Sequence, residues 1–452
     1  MPDQFIVGID VGSSKLCSAV AIRETSGTIR YVGHGSSPSS GYRGGEVTDV
    51  EQLSTAFGRV IEEARYLIGA PVQDVALCVS GARLEALDRN GGVNLEPGRP
   101  VDQSDILRAI GVSRGSDPAG LHTVHRVVRA LSVDGAITRD PTGRIGRRLE
   151  VATRDFAMPA QLVERLREAA EAAGLQVHTL IPEGVAAASA ATTEEERSIG
   201  VAVVDIGSGG ADLAVYVDGE LRHVAAVPLG GNHVTADIAG VIDISTEQAE
   251  SLKRQYGAID RNSNDELMEW NARTIAALQR QAAAGEIPPG AVRSIAAARA
   301  IQIVDALHAS LRGAGLIEYL RAGIILTGGT SQLRGIEDIA NAIIGVPVRS
   351  GAVVSGDGFP SIVDPSAVPS VGLVRYCALR ANAAPATRGQ SRRIGAGANA
   401  FVHPAVQRVM PVRDTMETPP SQPRARRTGT QRWGRAFRNW MREFVPARVE
   451  DQ

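Results

Sequence analysis

The stretch V-A-V-V-D-I-G-S-G-G-A-D-L-A-V-Y (201–216) decides the fold, because a close copy of it stands near the start of the chain. Residues 5–22 read F-I-V-G-I-D-V-G-S-S-K-L-C-S-A-V-A-I. In each, an apolar run of strand length ends on an aspartate, a glycine–serine turn follows, and a second apolar run returns. Asp10 matches Asp205, Gly12 matches Gly207 and Ser13 matches Ser208. A single repeat at so long a period is no solenoid. It marks a duplicated α/β domain whose halves face each other across a cleft.

The turns suggest a chemistry. Small residues let backbone N–H groups approach phosphate oxygens, and hydroxyls add donors; Gly12, Ser13 and Ser14 provide this in one copy, Gly207, Ser208, Gly209 and Gly210 in the other. Asp10 and Asp205 can hold Mg²⁺ through its waters beside a phosphate chain. One such turn alone reads as easily as a hairpin with an aspartate capping it; two copies point to phosphate. A third glycine turn, T-G-G-T (327–330), follows the apolar run A-G-I-I-L, so that Gly328, Gly329 and Thr330 could lie against a nucleoside or α-phosphate. Of 48 basic residues only Lys15 and Lys253 are lysines. Lys15 follows the first turn, where a point charge could neutralise a β- or γ-phosphate. Lys253 stands with Glu250 at i and i+3 on one helix face, where the carboxylate can accept from ribose hydroxyls and the lysine can border a base.

Composition narrows the class. The chain has 452 residues, 43% of them hydrophobic, as an ordinary folded protein of several domains does. No run of 18 apolar residues is present, and the N-terminus shows neither a basic n-region nor a cleavage site, which argues against a secretory signal. Cys17, Cys78 and Cys377 are odd in number and widely spaced, as reduced buried thiols are. The net charge of −2 divides into +8 over residues 382–452 and −10 over the preceding body. An acidic body argues against nucleic acid as a partner.

Between the copies the pattern predicts a helix over 51–69, a strand over 75–81, a separate segment over 83–163, a helix over 160–173 ending at Gly174, a strand over 175–181 and an alanine-rich helix over 184–192. Gly230-Gly231-Asn232 opens a helix, and residues 234–299 read as mostly helical. From about residue 382 proline, glycine, serine and arginine replace any periodicity, the composition of a disordered linker.

Taken in order, D-x-G-S, D-I-G-S-G-G-A-D, A-E-x-x-K and L-T-G-G-T resemble the actin-like ATPase superfold, a two-lobed ribonuclease-H-like α/β fold. S-S-G-Y-R-G-G-E-V-T-D (39–49) and G-G-N-H-V-T-A-D-I (230–238) resemble, within it, the bacterial cell-division family FtsA. The resemblance covers about 1–380 and the end of the chain. It implies subdomain 1A at 1–82 plus 164–199, an inserted 1C at 83–163, 2A at 200–233 plus 300–381, and 2B at 234–299. It further implies ATP and Mg²⁺ in the cleft, filaments on the cytoplasmic side of the cell membrane at the division site, and binding of the C-terminal peptide of the ring protein FtsZ and of other division proteins. The FtsZ contact carries over to the stretch Arg293–Arg299, with Arg299 as its candidate residue, although the carboxylates usual after that arginine are missing. Other members of the superfold compete: a PilM-like pilus scaffold, which would lack the long linker and terminal helix, a sugar kinase, which would need a catalytic aspartate that no motif here provides, and an Hsp70-type chaperone, which would need a β-rich domain after residue 380.

Two departures bear on hydrolysis. The usual second loop, D-x-G-G-G-T-T-D, has Gly210 and Ala211 here in place of both threonines. Glu183, in I-P-E-G-V-A-A-A-S-A, matches the position that related actins use to orient the attacking water; it could equally be an acid stabilised by a helix N-terminus. ATP bound but hydrolysed slowly or negligibly is the expectation.

The last twenty residues begin W-G-R-A-F-R-N-W-M-R-E-F (433–444), two of the chain's three tryptophans within a dozen residues. At helical spacing Trp433, Phe437, Trp440, Met441 and Phe444 share one face, and Arg435, Arg438 and Arg442 the other. A helix over 432–446 built this way lies in the plane of an anionic membrane. Each buried large side chain contributes about 1.5–3 kcal/mol, and each nearby arginine about 1 kcal/mol. Docking back onto the body is disfavoured by the linker over 382–431. Truncation before residue 432 is expected to abolish co-sedimentation with anionic vesicles, and added salt to weaken the intact chain's binding; retention after truncation would refute the anchor.

Overall fold

The structure, a computed structural model, describes residues 4–81, 83–259 and 272–383. The terminal residues Trp433, Arg435, Phe437, Arg438, Trp440, Met441, Arg442 and Phe444 lie outside the described residues, as does the expected linker from residue 384 on, whereas 382 and 383 close the helix Val368–Ala383.

The repeat read from the sequence is a repeat of topology. In the first lobe Gln4–Val11, Lys15–Arg23 and Ile29–Pro38 form an antiparallel meander, and Asp74–Val79 and Gln176–Pro182 extend it in parallel beyond Gln4–Val11. The second lobe repeats this order with Val201–Ile206, Ala211–Val217 and Glu220–Val227, then Gly323–Thr327 and Val348–Ser350. Register repeats too: Asp10 pairs with Cys17, Asp205 with Asp212. Every residue of Val201–Ile206 and of Ala211–Val217 is buried, as expected of a sheet covered on both faces.

Helices cover the sheets for legible reasons. Val50–Ile68 starts at Asp49, whose carboxylate accepts from Gln52 N, and ends at Gly69, whose φ of +69° only glycine adopts freely. Its buried face, Leu53, Ala56, Phe57, Val60, Ile61 and Ala64, has helical spacing. Residues 83–159 leave the first lobe as a separate four-stranded antiparallel sheet, Glu85–Asn94, Arg148–Pro159, Leu121–Val133 and Ala136–Thr138, with helix Gln103–Ser113 packed on it around a small core of its own. In the second lobe Gly231–Ile242, Thr246–Tyr256 and Ala272–Ala283 precede helix Pro289–Gly313, which runs unbroken through residues 299 and 300.

Helices Glu183–Ala191 and Val368–Ala383 pack together between the two sheets, in a core drawn from both lobes. The former is buried at all nine positions and has no side chain larger than valine after Glu183. A Cβ on Gly372 would stand 1.9 Å from the Ala186 carbonyl oxygen. Gly240, inside a helix, has open space where a Cβ would go. Gly372→Ala should therefore cost about 2–3 kcal/mol of stability, while the same change at Gly240 should add about 0.5–1 kcal/mol; denaturant melts of the two variants compare them directly.

Candidate functional site

The lobes enclose a cavity of about 530 Å³. Both turns of the repeat form its walls: Asp10, Gly12, Ser13, Ser14 and Lys15 on one side, Asp205, Gly207, Ser208, Gly209 and Gly210 on the other. Gly328, Gly329 and Thr330 line it, as do Glu250, Lys253 and Glu183. The structure thus brings all these sequence candidates together, including both lysines. Arg299 lies elsewhere.

The turns approach closely enough to require glycine. A Cβ on Gly209 would fall 2.4 Å from Ser13 Oγ, which itself accepts from Gly44 N at 2.9 Å. Gly328, at φ +86°, would drive a Cβ to 2.6 Å from Asp205 Oδ1. Among the described residues the N–H groups of Ser13, Ser208 and Gly209 have no backbone acceptor, so they are available to a ligand's oxygens. Thr330 Oγ1 donates to the Gly207 carbonyl at 2.8 Å, and Gly231 N and Asn232 N donate to the carbonyls of Gly207 and Ser208, fixing the second turn onto a helix start.

Five carboxyl groups line the cavity, and four of them are raised. Burial pushes Asp10 up to about 7, with Asp205 adding repulsion and the Cys78 thiol, donating at 3.3 Å, opposing it. Asp205 is raised to about 6 by burial, against the Thr327 hydroxyl that donates to it at 2.7 Å. Asp212 rises to about 7 by burial, although Gly81 N and Ser80 Oγ, from the opposite lobe, both donate to it. Glu183 is raised well above the usual carboxyl range by burial and by repulsion from Asp10, Asp212 and Asp205. Among the described residues no three His, Cys, Asp or Glu side chains are arranged to ligate an ion directly.

Lys15 Nζ donates to Ser366 Oγ at 2.7 Å. Glu250 meets Lys253 at 2.6 Å and accepts from Thr235 at 2.6 Å and Arg254 at 2.9 Å. Burial pulls its carboxyl up, but those hydrogen bonds outweigh burial and bring it down to about 2. Lys253 also donates to the Gly231 carbonyl at 3.2 Å, so the pair ties two helices together at the cavity wall. Arg299 makes a two-pronged ion pair with Asp237, at 2.6 and 2.8 Å, and donates to Gln302; its side chain is 12% exposed. Its guanidinium ties helix Gly231–Ile242 to helix Pro289–Gly313.

The sequence reading passed over Asp212, Ser80, Gly81 and Tyr42, all at the cleft. Asp212 had a signal: it stands opposite Asp205 in register, where the first copy has Cys17.

Two duplicated lobes closing on glycine turns and paired aspartates define an actin-like protein. The PilM–PilN type IV pilus biogenesis complex contains a chain of this fold, superposing with a TM-score of 0.53 at 18% identity over 82% of this chain and 97% of its own. Residues 202–372 match the family described as cell division protein FtsA. The FtsA of Pseudomonas aeruginosa is 30% identical over 381 residues, 82% of this chain and 89% of that one, and the FtsA of Escherichia coli K12 is 29% identical over 384 residues, 82% and 90% respectively. The chain belongs to the FtsA cell-division family.

The raised carboxyls set a pH dependence. Below about 4 both folded and unfolded chains hold these protons; above it the unfolded chain releases them first, so stability falls as pH rises towards 7 and beyond. Glu183→Gln keeps the donor and removes the titration. Its melting temperature without nucleotide is expected to match wild type near pH 5 and to exceed it by several degrees at pH 8, on the order of 1 kcal/mol per pH unit. Parallel curves would refute the buried-proton reading.

Proposed function

We propose that the protein binds ATP with Mg²⁺ in this cleft, polymerises on the inner face of the cytoplasmic membrane and tethers the FtsZ ring there. The meeting of both glycine turns, both lysines and the T-G-G-T turn on one cavity carries the nucleotide reading. Free N–H groups of Ser13, Ser208 and Gly209 suit phosphate oxygens, and Lys15 suits the charge at the end of the chain. Glu250 and Lys253 border the nucleoside side. Four crowded carboxyls fit a divalent cation, which Asp10 and Asp205 would hold through its waters. The ion supplies neutralisation of the phosphate charge.

Hydrolysis is slow or negligible in this reading. Gly210 and Ala211 bring no hydroxyl to the terminal phosphate, and burial raises the carboxyl of Glu183, the candidate for positioning water, well above its usual range, which favours its protonated form. A protonated carboxyl cannot act as a base. Nucleotide then serves as a structural clamp between the lobes.

Family membership supports the division role. The amphipathic sequence at 432–446 supports the membrane, and no helix of the described residues is long and apolar enough to cross one. The subdomains 1A, 1C, 2A and 2B are assigned to the segments given above, with 1C the four-stranded insertion. In this reading FtsZ binds the second lobe near Arg293–Arg299, with Arg299 acting through its ion pair with Asp237.

Titration calorimetry with ATP and Mg²⁺ is expected to give saturable one-site binding, weakened by Lys15→Ala roughly tenfold to a hundredfold, the loss of one charge-assisted contact. Turnover should stay below about 1 s⁻¹. Absence of binding, or rapid sustained hydrolysis, would overturn the proposal.

A further inference from the structure

Tyr42 lines the cavity with a hydroxyl that the binding scheme above leaves unused. It comes from the short hairpin of Tyr42–Arg43 and Glu46–Val47, in which Tyr42 pairs with Val47 and Arg43 with Glu46. The tip, Gly44-Gly45, has φ of +58° and +86°, the two left-handed positions that a type I′ turn requires. Thr48 N and Asp49 N close the base of the hairpin on the Gly41 carbonyl at 2.9 and 3.2 Å, and Glu46 forms an ion pair with Arg83. Gly44 N donates to Ser13 Oγ at 2.9 Å, which fastens the tip to the first glycine turn. The hairpin therefore holds Tyr42 on a fixed backbone beside the phosphate-facing turn.

The residue is only 4% exposed, and its ring belongs to the core of the first lobe. Its hydroxyl stands beside the Ser80 backbone, short of hydrogen-bond geometry, and within electrostatic reach of Glu183, Asp212 and Asp10; it has no hydrogen-bond partner among the described residues. Burial and those acids hold the phenol well above its usual range, so the hydroxyl keeps its proton and is a donor. Three other hydroxyls at the cavity are engaged. Ser80 Oγ donates to Asp212 at 2.9 Å, Thr330 Oγ1 to the Gly207 carbonyl at 2.8 Å and Ser366 Oγ to Asp364 at 3.0 Å. A buried donor left without an acceptor destabilises the fold, and a ligand oxygen would complete it.

We propose, resting on the nucleotide reading given above, that Tyr42 is a specificity-determining residue whose hydroxyl donates to an oxygen of the terminal phosphate, so that the cleft favours a nucleoside triphosphate over the diphosphate. In that reading Glu250 and Lys253 border the nucleoside, and the end of the phosphate chain lies towards Glu183, among the groups that Tyr42 faces. Residues 210 and 211 offer that end no hydroxyl, and Tyr42 brings one from the opposite lobe. A hydrogen bond from a neutral donor to a charged phosphate oxygen is among the stronger kinds, and a diphosphate has no third phosphate to receive it. Water bound to a cation is the competing acceptor. It would be present with either nucleotide and would give no such preference.

Titration calorimetry on the full chain with Mg²⁺, run with ATP and with ADP, separates these cases. Wild type is expected to bind ATP more tightly than ADP. Tyr42→Phe keeps the ring and removes the hydroxyl; it is expected to weaken ATP about tenfold and to leave ADP within about twofold. Thermal melts give a second readout. Without nucleotide Tyr42→Phe is expected to melt at or above the wild-type temperature, because an unmet buried donor has gone, while the rise in melting temperature on adding ATP shrinks. Equal weakening of ATP and ADP overturns the proposal in favour of cation-bound water or a packing role. Unchanged affinity for both overturns it too and leaves the nucleotide reading standing. A lower melting temperature of the nucleotide-free variant would show that the hydroxyl serves the core, and likewise refutes the assignment. If wild type binds neither nucleotide, the nucleotide reading itself fails and takes this inference with it.

Discussion

The close contact between helices Glu183–Ala191 and Val368–Ala383 sets the geometry on which the cleft depends. Small side chains along the first helix and Gly372 on the second let the backbones meet, the Ala186 carbonyl lying where a Cβ on residue 372 would be. That contact fixes the separation of the two sheets. Because Glu183 is the first residue of the helix, the same packing that joins the lobes carries a carboxyl to the floor of the cavity. Stability and site are consequently one problem here. A bulkier helix would part the strands that end in Asp10 and Asp205, and with them the two turns that face each other at Ser13 and Gly209.

With the lobes so placed, electrostatics opposes closure. Asp10, Asp205, Asp212 and Glu183 are all buried, and burial raises each of them. Burial favours their protonated forms, and hydrogen bonds from Thr327, Cys78, Ser80 and Gly81 offset part of the cost. Two of those donors reach Asp212 from the other lobe, so an acid that strains the cleft also latches it. A cation between the aspartates would replace protons in that role.

Much of this was legible in the sequence, because duplication writes a fold twice. Asp10, Gly12 and Ser13 recur as Asp205, Gly207 and Ser208, and strands ending in such turns must present them at the same sheet edge. The two lysines stood out against 46 arginines and both reach the cavity. What stayed hidden was long-range. Lys15 finds Ser366 across 351 residues, and Asp212 finds Gly81 across 131, with no local pattern to announce either. The inserted sheet was opaque for another reason: strand Leu121–Val133 buries Arg126 against Asp155, so its polar–apolar alternation misleads about which face is inside. Likewise a sequence gives Arg299 but not its ion-pair partner Asp237, 62 residues away.

That pair also shows how cleft and surface are mechanically joined. Helix Gly231–Ile242 begins with two N–H groups bound to the carbonyls of Gly207 and Ser208, and Lys253 grips its first carbonyl from the cavity wall. Six residues further along the same helix, about 9 Å of rise, Asp237 holds Arg299 of the long helix Pro289–Gly313. The second glycine turn cannot shift without either dragging this helix or giving up both backbone bonds, each worth roughly 1 kcal/mol. Dragging is the cheaper course for a rigid element. Whatever occupies the turn therefore bears on the surface that Arg299 shapes, through one helix and without any change of fold.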